Sequence, residues 1–331
     1  MKKLVSKLAA VAFVAALLVV SASAKAAMEW NLATPYPDKV FHTVNIKMFA
    51  KEVEERTNGE VKITVHAAAS LFKHSEIKRA VRTGQVEMGE IQLSHFANEN
   101  ELFNFGTIPF MATTFEEAML AWQAAKPVIE RILMKEGIRV LYAVPWPPQA
   151  FYARKKLDTV ADMKDLKFRT YNRIGSRMAE LLGAQPVLVS GAEVSQAFAS
   201  GLIEAMVTSS AFGASIQAWD FVKYFHDTRA WLGVDEILVN ERAFQSLSPK
   251  AQQVMLEAAA KAQERGLRLG KEANDASKKI LADHGVVLVE PSAEFMKAAR
   301  AATATMVDEW IEKAGPEAKA IVEEYNRLRL K

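Results

Sequence analysis

Short stretches of alternating apolar and polar residues recur along most of the chain, separated by longer stretches with apolar residues at helical spacing. VKITV (61–65) is of the alternating kind, which is typical of a strand with one buried face. Thr114 with Glu117 forms a capping box and predicts a helix start, and Ser248 followed by Pro249 predicts another. Because strands and helices alternate throughout, the pattern predicts α/β layers with largely parallel sheets.

The same periodicity assigns an order of elements to the chain after residue 28. Strands are predicted at 29–34, 61–65, 88–93, 139–144, 151–155, 166–170, 186–189, 204–210, 236–240 and 286–290. Helices are predicted at about 42–57, 76–82, 115–137, 176–182, 193–200 and 249–285, with one terminal helix after them. No linker rich in Gly, Ser or Pro divides the chain. We predict two domains whose crossings lie near 145–151 and 235–240.

The first 27 residues have the layout of a secretory signal peptide. A basic start with Lys2, Lys3 and Lys7 precedes an apolar run over 8–20, and small residues follow in SASAKAA. The apolar run is short for a membrane span, so we expect export and cleavage after about residue 24–27 rather than a retained anchor. The predicted location is the periplasm.

Removing residues 1–27 changes the charge balance, because that segment holds four lysines and no acidic residue. The formal net charge of +3 falls to −1, with 38 basic residues left against 39 acidic ones. The basic character of the full chain therefore gives no support to nucleic-acid binding, and we expect no nucleic-acid partner. The absence of cysteine excludes a disulfide framework and thiol chemistry.

The chain carries no recognisable catalytic or nucleotide motif. Its six histidines are scattered without a metal-ligand spacing, and no Gly-rich phosphate loop or nucleophile elbow occurs. Ser75 to Lys78 matches SxxK without the companion motifs, and a capped helix start explains that match better. We therefore predict a protein that is not an enzyme and that needs no cofactor; no metal site is predicted.

The segment ADMKDLKFRTYN (161–172) raises the clearest question of function. Apolar and polar residues alternate there, so Arg169 and Tyr171 lie on one side of a half-buried strand. Arg169 is either one more solvated charge or the partner of an anion. A guanidinium group meets a carboxylate with two parallel charge-assisted hydrogen bonds, which makes an organic acid a suitable anion.

Several aromatic and hydroxyl side chains accompany this arginine at predicted loops and strand ends. Core packing explains each of them alone, but together they indicate a pocket with apolar walls and a few placed polar groups. These residues are Trp146, Tyr171, Thr208, Ser209, Ser210, Phe212 and Trp231.

The chain resembles the periplasmic solute receptors of TRAP transporters, the DctP-like family, over essentially its whole length after the signal peptide. Four segments carry the resemblance through their order and spacing. They are EVEERTNGEVKITVHAAASLF, AVRTGQVEMGEI, VADMKDLKFRTYN and LLGAQPVLVSGAEVSQAFASGLIEAMVTS.

The resemblance implies an α/β fold of the type II periplasmic-binding-protein kind, with two lobes, hinge strands and a long helix that spans both lobes. Lobe I would comprise 28–148 with about 239–283, and lobe II 149–238 with about 284–331. The ligand cleft would lie between the lobes.

The resemblance also implies roles for individual residues. Arg169 would be the carboxylate-binding arginine, Gln149 and Trp146 would add a second contact, and Gln92 would line the first lobe. Thr208 stands where many relatives carry Asn, and Pro148 stands where sialic-acid receptors carry Arg. These departures favour a small monocarboxylate with an apolar or aromatic body, or a 2-oxo or 2-hydroxy acid, over a sugar acid.

The expected function is therefore a receptor that closes on an organic acid and delivers it to TRAP membrane subunits. Two alternatives use the same cleft: a sensor subunit, and a secreted enzyme that acts on a carboxylate. We expect a monomer, and the alternative is a dimer formed through the terminal helices.

Overall fold

The computed structural model describes residues 27–330, so the predicted signal peptide lies outside the described residues except for Ala27. The strands are β1 (Met28–Ala33), β2 (Val61–His66), β3 (Met88–Gln92), β4 (Ile138–Pro145), β5 (Gln149–Ala153), β6 (Lys167–Thr170), β7 (Gln185–Leu188), β8 (Ala205–Ser209), β9 (Tyr224–His226), β10 (Val234–Asn240) and β11 (Val287–Val289). The helices are α1 (Phe41–Arg56), α2 (His74–Thr83), α3 (Phe115–Lys135), α4 (Arg173–Leu181), α5 (Val194–Ala199), α6 (Ser210–Ser215), α7 (Glu241–Ser246), α8 (Pro249–Asp283), α9 (Ala293–Ala302), α10 (Met306–Ala314) and α11 (Pro316–Arg329).

The strands form two sheets, one in each lobe. The first has the order β2-β1-β3-β10-β4 and the second the order β11-β9-β5-β8-β6-β7. Both are mixed rather than largely parallel, because β10 runs antiparallel to β3 and β4, and β5 runs antiparallel to β8 and β9. These are the strands that follow a crossing. A strand that enters a sheet directly from the other lobe runs away from the cleft, whereas strands that follow a helix run towards it.

Two antiparallel segments connect the lobes. The amide of Trp146 donates to the carbonyl of Gly233 over 2.8 Å, and that of Gln149 donates to the carbonyl of Trp231 over 2.8 Å. The second crossing therefore lies between β9 and β10, and not at 235–240 as predicted. Because Val234 to Asn240 pair with β3 and β4, the first lobe resumes at about residue 234 rather than 239.

Helix α8 spans both lobes, as predicted. Its N-terminal half shares a core with α1 through Met255, Ala258 and Ala262, and Ser248 caps it through a 3.1 Å bond from the amide of Ala251. Farther along, Asn274 accepts a 2.9 Å hydrogen bond from Ser210 of the second lobe. Helix α8 therefore packs against both lobes and connects them.

The chain ends in three helices rather than the single predicted one, and the last two belong to the first lobe. Helix α9 packs on the second lobe, where Phe295 shares a core with Phe151. Trp310 and Tyr325 of α10 and α11 instead share a core with Trp122 of α3. The assignment of 284–331 to lobe II is therefore wrong for residues after about 306, because α11 packs on α3 and Trp310 of α10 lies in the same first-lobe core.

The buried apolar residues form a core on each side of each sheet, which is the layered arrangement expected of α/β lobes. Among residues 27–330, we find no helix whose length and hydropathy would let it cross a bilayer.

Candidate ligand-binding site

The ends of several strands meet where the two lobes face each other. β3, β4, β6 and β8 end there, while β5 and β10 begin there. The edge at the carboxyl ends of parallel strands is where open α/β sheets bind ligands. Most of the functional side chains predicted from the sequence lie on these strand ends or on the crossings, at Gln92, Trp146, Gln149, Arg169, Tyr171, Thr208, Ser209 and Trp231. Ser210 and Phe212 lie in the first turn of α6, directly after β8.

Arg169 is buried at this edge, with 2 % of its surface exposed. Its Nε donates to the carbonyl of Val189 over 3.0 Å, and its Nη1 donates to that of Val207 over 3.2 Å. Within residues 27–330 no carboxylate pairs with it, and its Nη2 makes no hydrogen bond. Burial lowers the pKa of Arg169 to about 10, so it remains a cation at neutral pH. A buried cation without an acidic partner is costly to a fold, and an anion that enters the cleft would relieve that cost.

Tyr171 and Trp231 complete the wall around this arginine. The guanidinium of Arg169 lies 5.2 Å from the ring centre of Tyr171, and the indole N–H of Trp231 donates to the Tyr171 hydroxyl over 2.8 Å. His95 of the first lobe stacks on Tyr171 with ring centres 5.6 Å apart. Since the Tyr171 hydroxyl accepts from Trp231, its own proton is free to donate to a ligand.

Polar side chains of the first lobe form a chain of hydrogen bonds that reaches the second lobe. Gln92 Nε2 donates to Asp235 Oδ1 over 3.2 Å, and the Ser94 hydroxyl donates to Gln92 Oε1 over 3.1 Å. Asn172, three residues after Arg169, donates from Nδ2 to Ser94 Oγ over 3.2 Å. The last bond crosses the cleft, so the lobes are closed on each other here.

Ser94→Ala should weaken ligand binding by about 0.5–1.5 kcal/mol, the usual net contribution of one buried hydrogen bond, because it removes the cross-lobe bond from the closed state. Calorimetric titration measures the change. Ser246→Ala is the matched control, since its hydroxyl bonds to the Ala243 carbonyl at an exposed helix end. Equal affinities for Ser94→Ala and the unaltered protein would show that this bond does not stabilise the liganded form.

Asp235 places a carboxyl group in the first-lobe wall. It is 1 % exposed, and its Oδ2 has no hydrogen-bond partner among the described residues. Burial raises the pKa of Asp235 to about 7, and interactions with Trp146, Tyr36 and Gln92 partly offset the rise. The site therefore combines a buried cation on one lobe with a buried acid on the other.

Trp146 and Gln149, which were predicted to add a second ligand contact, lie on the first crossing. Trp146 packs edge-on against Tyr36 and Phe41, with ring centres 4.8 and 5.4 Å apart, and its indole N–H makes no hydrogen bond to any residue that the structure describes. Gln149 donates from Nε2 to the Pro147 carbonyl over 3.2 Å. Both residues are buried beside the cleft, and the side-chain amide of Gln149 is already hydrogen-bonded within its own turn.

The predicted hydroxyl run after β8 has mostly structural partners. Ser209 accepts from the amide of Phe212 over 3.1 Å and so caps α6, while Ser210 bonds to Asn274 of α8. Thr208 is buried next to Val207, whose carbonyl holds Arg169. The Phe212 ring lies 6.5 Å from that of Trp146. Thr208 lies two residues after Met206, which pairs with Arg169, so its side chain is on the same face of the sheet as Arg169.

Several residues of the cleft were missed by the sequence analysis, namely Tyr36, His74, His95, Asn172 and Asp235. Their positions depend on tertiary structure, because they come from turns and strand ends far apart in the chain. One signal was available: acids inside the apolar strands MGEIQL (88–93) and VDEILVN (234–240) are unusual, since buried carboxyl groups are rare without a partner.

His42, Glu90 and Asp235 also bring one nitrogen and two oxygen atoms within 4.8 Å of one another. One oxygen of Glu90 already accepts from the Thr34 hydroxyl, and the other lies 3.3 Å from His42 Nδ1. These three side chains form a buried polar cluster below the pocket, and we assign no metal centre to them.

The two lobes and the cleft between them define a solute-binding protein of the periplasmic type. Residues 34–314 match the sequence model of the DctP family, described as bacterial extracellular solute-binding protein, family 7. The chain belongs to this family. It is a TRAP-type extracytoplasmic solute receptor for small acids, and not an enzyme.

Solved structures support the same assignment. DctP6 of Bordetella pertussis, an extracytoplasmic solute receptor binding pyroglutamic acid, is 40% identical with a TM-score of 0.88, covering 91% of this chain and 100% of that one. A TRAP solute-binding protein from a marine metagenome, specific for pyroglutamate and solved with co-purified pyroglutamate, is 32% identical with a TM-score of 0.87, covering 91% and 99%. A monocarboxylate 2-oxoacid-binding periplasmic protein of Nostoc sp. is 24% identical over 82% of this chain and 76% of its own length.

Proposed function

We propose that this receptor binds a small monocarboxylate whose carboxylate group pairs with Arg169. The observation that carries the proposal is the burial of that cation, held by two backbone carbonyls, without an acidic partner in the described part of the chain. The carbonyl bonds fix the guanidinium and leave Nη2 without a partner. An incoming carboxylate would replace lost hydration with charge-assisted hydrogen bonds.

We further propose that the ligand is pyroglutamate or a closely similar lactam acid. Two relatives that are 40% and 32% identical to this chain carry pyroglutamate by their descriptions. The cleft offers complementary chemistry, since Arg169 suits the carboxylate and the unpartnered Oδ2 of Asp235 suits a ring N–H donor. A 2-oxo acid has no N–H group to offer that oxygen. This refines the sequence-based expectation of a monocarboxylate with an apolar body.

In this account the mature chain acts in the periplasm after loss of residues 1–27. Ligand binding favours the closed arrangement of the lobes, and the closed form is presented to TRAP membrane subunits. We propose that the receptor acts as a monomer.

A pair of ligands that differ in one group tests the proposed chemistry. Pyroglutamate and its lactone analogue, in which a ring oxygen replaces N–H, share shape and carboxylate. We expect the lactone to bind about 10- to 150-fold more weakly in calorimetry, because it leaves the Asp235 carboxyl group without a donor. Pyroglutamate amide, which lacks the negative charge, should show no measurable binding.

Equal binding of pyroglutamate and the lactone would contradict the role of the N–H group. A thermal-shift screen in which glucuronate or a dicarboxylate raises the melting temperature and pyroglutamate does not would contradict the proposed ligand class.

A further inference from the structure

Two carboxyl groups lie side by side beneath the cleft without a cation between them. Glu90 of β3 pairs with Ile237 of β10, and Asp235, two residues before Ile237, shares its face of the sheet. Glu90 and Asp235 are 0 % and 1 % exposed. Among residues 27–330 neither forms an ion pair with Lys or Arg. Two neighbouring negative charges in such a place would be strongly unfavourable.

One oxygen of each carboxyl group accepts a hydrogen bond from the described residues, and the other oxygen of each does not. Glu90 Oε2 accepts from the Thr34 hydroxyl, and Asp235 Oδ1 accepts from Gln92 over 3.2 Å. The other oxygen of each group, Glu90 Oε1 and Asp235 Oδ2, makes no hydrogen bond in the described chain, although Glu90 Oε1 lies 3.3 Å from His42 Nδ1. One oxygen of each carboxyl group lies within 4.8 Å of the other. One proton placed between these two oxygens would give each a partner, and the second lone pair of Asp235 Oδ2 would still be able to accept a hydrogen bond from the ligand.

No neighbouring group supplies a compensating positive charge to the pair. His42 is buried, and burial lowers its pKa well below the usual value, so the ring is neutral at pH 7. Burial raises the pKa of Tyr36 and of Tyr142, so both phenols keep their protons. The titratable groups nearest the pair are Tyr36 in the turn after β1, His42 of α1, Tyr142 of β4 and, from the second lobe, Tyr171. Arg265 of α8 and Glu236, on the opposite face of β10, are the other charged groups in this region.

Arg265 is directed elsewhere. It donates from Nε to Asn45 Oδ1 over 2.7 Å, and its Nη1 lies 3.6 Å from Glu52 Oε2. Glu236 lies on the other side of the sheet, where its Oε2 accepts from the amide of Leu93 over 3.1 Å. Neither residue therefore neutralises Glu90 or Asp235.

We propose that Glu90 carries a proton at neutral pH and donates it to Asp235, so that the pair holds one negative charge and Glu90 positions the Asp235 carboxylate at the cleft. In this arrangement Glu90 does not touch the ligand. It acts through Asp235, by fixing that carboxylate in the orientation that accepts a donor from the ligand. This last step rests on the proposed function, whereas the shared proton does not.

The protonation state has a consequence for stability. Burial raises the pKa of Glu90 and of Asp235 above the values of an unfolded chain, so the folded protein binds more protons than the unfolded one. Stability from this source is full below about pH 4 and is lost as pH rises above that value. Glu90→Gln mimics the protonated acid, so it removes the contribution of Glu90 to this decrease in stability at higher pH. Its melting temperature should equal that of the unaltered protein near pH 4.5 and exceed it at pH 8.

Infrared spectroscopy of the ligand-free protein tests the shared proton directly. The unaltered protein at pH 7.5 should show a protonated-carboxyl C=O band that disappears in Glu90→Gln and shifts in D₂O. Glu290→Gln, at an exposed site, is the control and should leave the band unchanged. A spectrum in which Glu90→Gln removes only carboxylate absorption would overturn the proposal. Because no ligand is present, this result is independent of whether pyroglutamate is the correct ligand.

Binding measurements test the positioning role. Glu90→Ala should weaken pyroglutamate binding at least about ten-fold, because Asp235 loses a hydrogen-bond donor. Glu90→Gln, whose amide N–H₂ can donate to Asp235, should recover most of that loss. If Glu90→Gln binds as weakly as Glu90→Ala, a negative charge at residue 90 is required and the shared proton is refuted. Stoichiometric divalent metal in the purified protein would refute it as well.

Discussion

Arg169→Ala should weaken binding of the carboxylate ligand by about 2–5 kcal/mol, the loss typical when one partner of a buried charge pair is truncated. The reason is that the described residues offer no second cation at this point of the cleft to take the place of the guanidinium. Arg169→Lys should also bind poorly, because an ammonium group cannot reproduce two parallel hydrogen bonds while also reaching the carbonyls of Val189 and Val207. Calorimetric titration with pyroglutamate gives both values.

Arg154→Ala is the matched control for this experiment. Its guanidinium also donates to two backbone carbonyls, those of Phe198 over 2.7 Å and Phe221 over 3.3 Å, but at an exposed position of the second lobe. Affinity should stay unchanged in this control. Circular dichroism shows whether each variant is folded. A folded Arg169→Ala protein with undiminished affinity would remove Arg169 from the binding site.

Asp235→Asn should weaken pyroglutamate binding by about 1.5–3 kcal/mol, the range for hydrogen bonds to charged groups. The same change should weaken binding of the lactone analogue much less, because that ligand has no N–H group to donate. The difference between the two losses isolates the contact between residue 235 and the ring N–H. Isothermal titration of both ligands against both proteins measures it.

Asp308→Asn, at an exposed position of α10, controls for the general effect of removing a carboxylate and should leave both affinities unchanged. Equal losses for pyroglutamate and the lactone in Asp235→Asn would mean that Asp235 supports the shape of the cleft without recognising the N–H group.

The alternation of apolar and polar residues was sufficient to place Arg169 and Tyr171 on one side of a strand, because side-chain alternation is a local property. The structure adds why Arg169 is buried: the carbonyls that hold it belong to residues 20 and 38 positions later in the chain. The alternation of strands and helices likewise predicted the α/β class. It could not give strand direction at the crossings, since that depends on which lobe a strand enters.

The first-lobe half of the site could not be predicted by the same means. Asp235 reaches Gln92 across 143 residues of chain, and Asn172 reaches Ser94 across 78. The final helices were misplaced for a related reason, because Trp310 and Tyr325 show only that each helix has an apolar face and not which lobe covers it. Pairings of this kind are set by tertiary packing.

A crystal structure of the receptor grown with pyroglutamate tests the central claim most directly. We predict that the ligand carboxylate lies within hydrogen-bonding distance of the Arg169 guanidinium, at about 2.7–2.9 Å, and that the ring N–H is directed at Asp235. A bound ligand whose carboxylate is held by other groups, with Arg169 still unpaired, would contradict it.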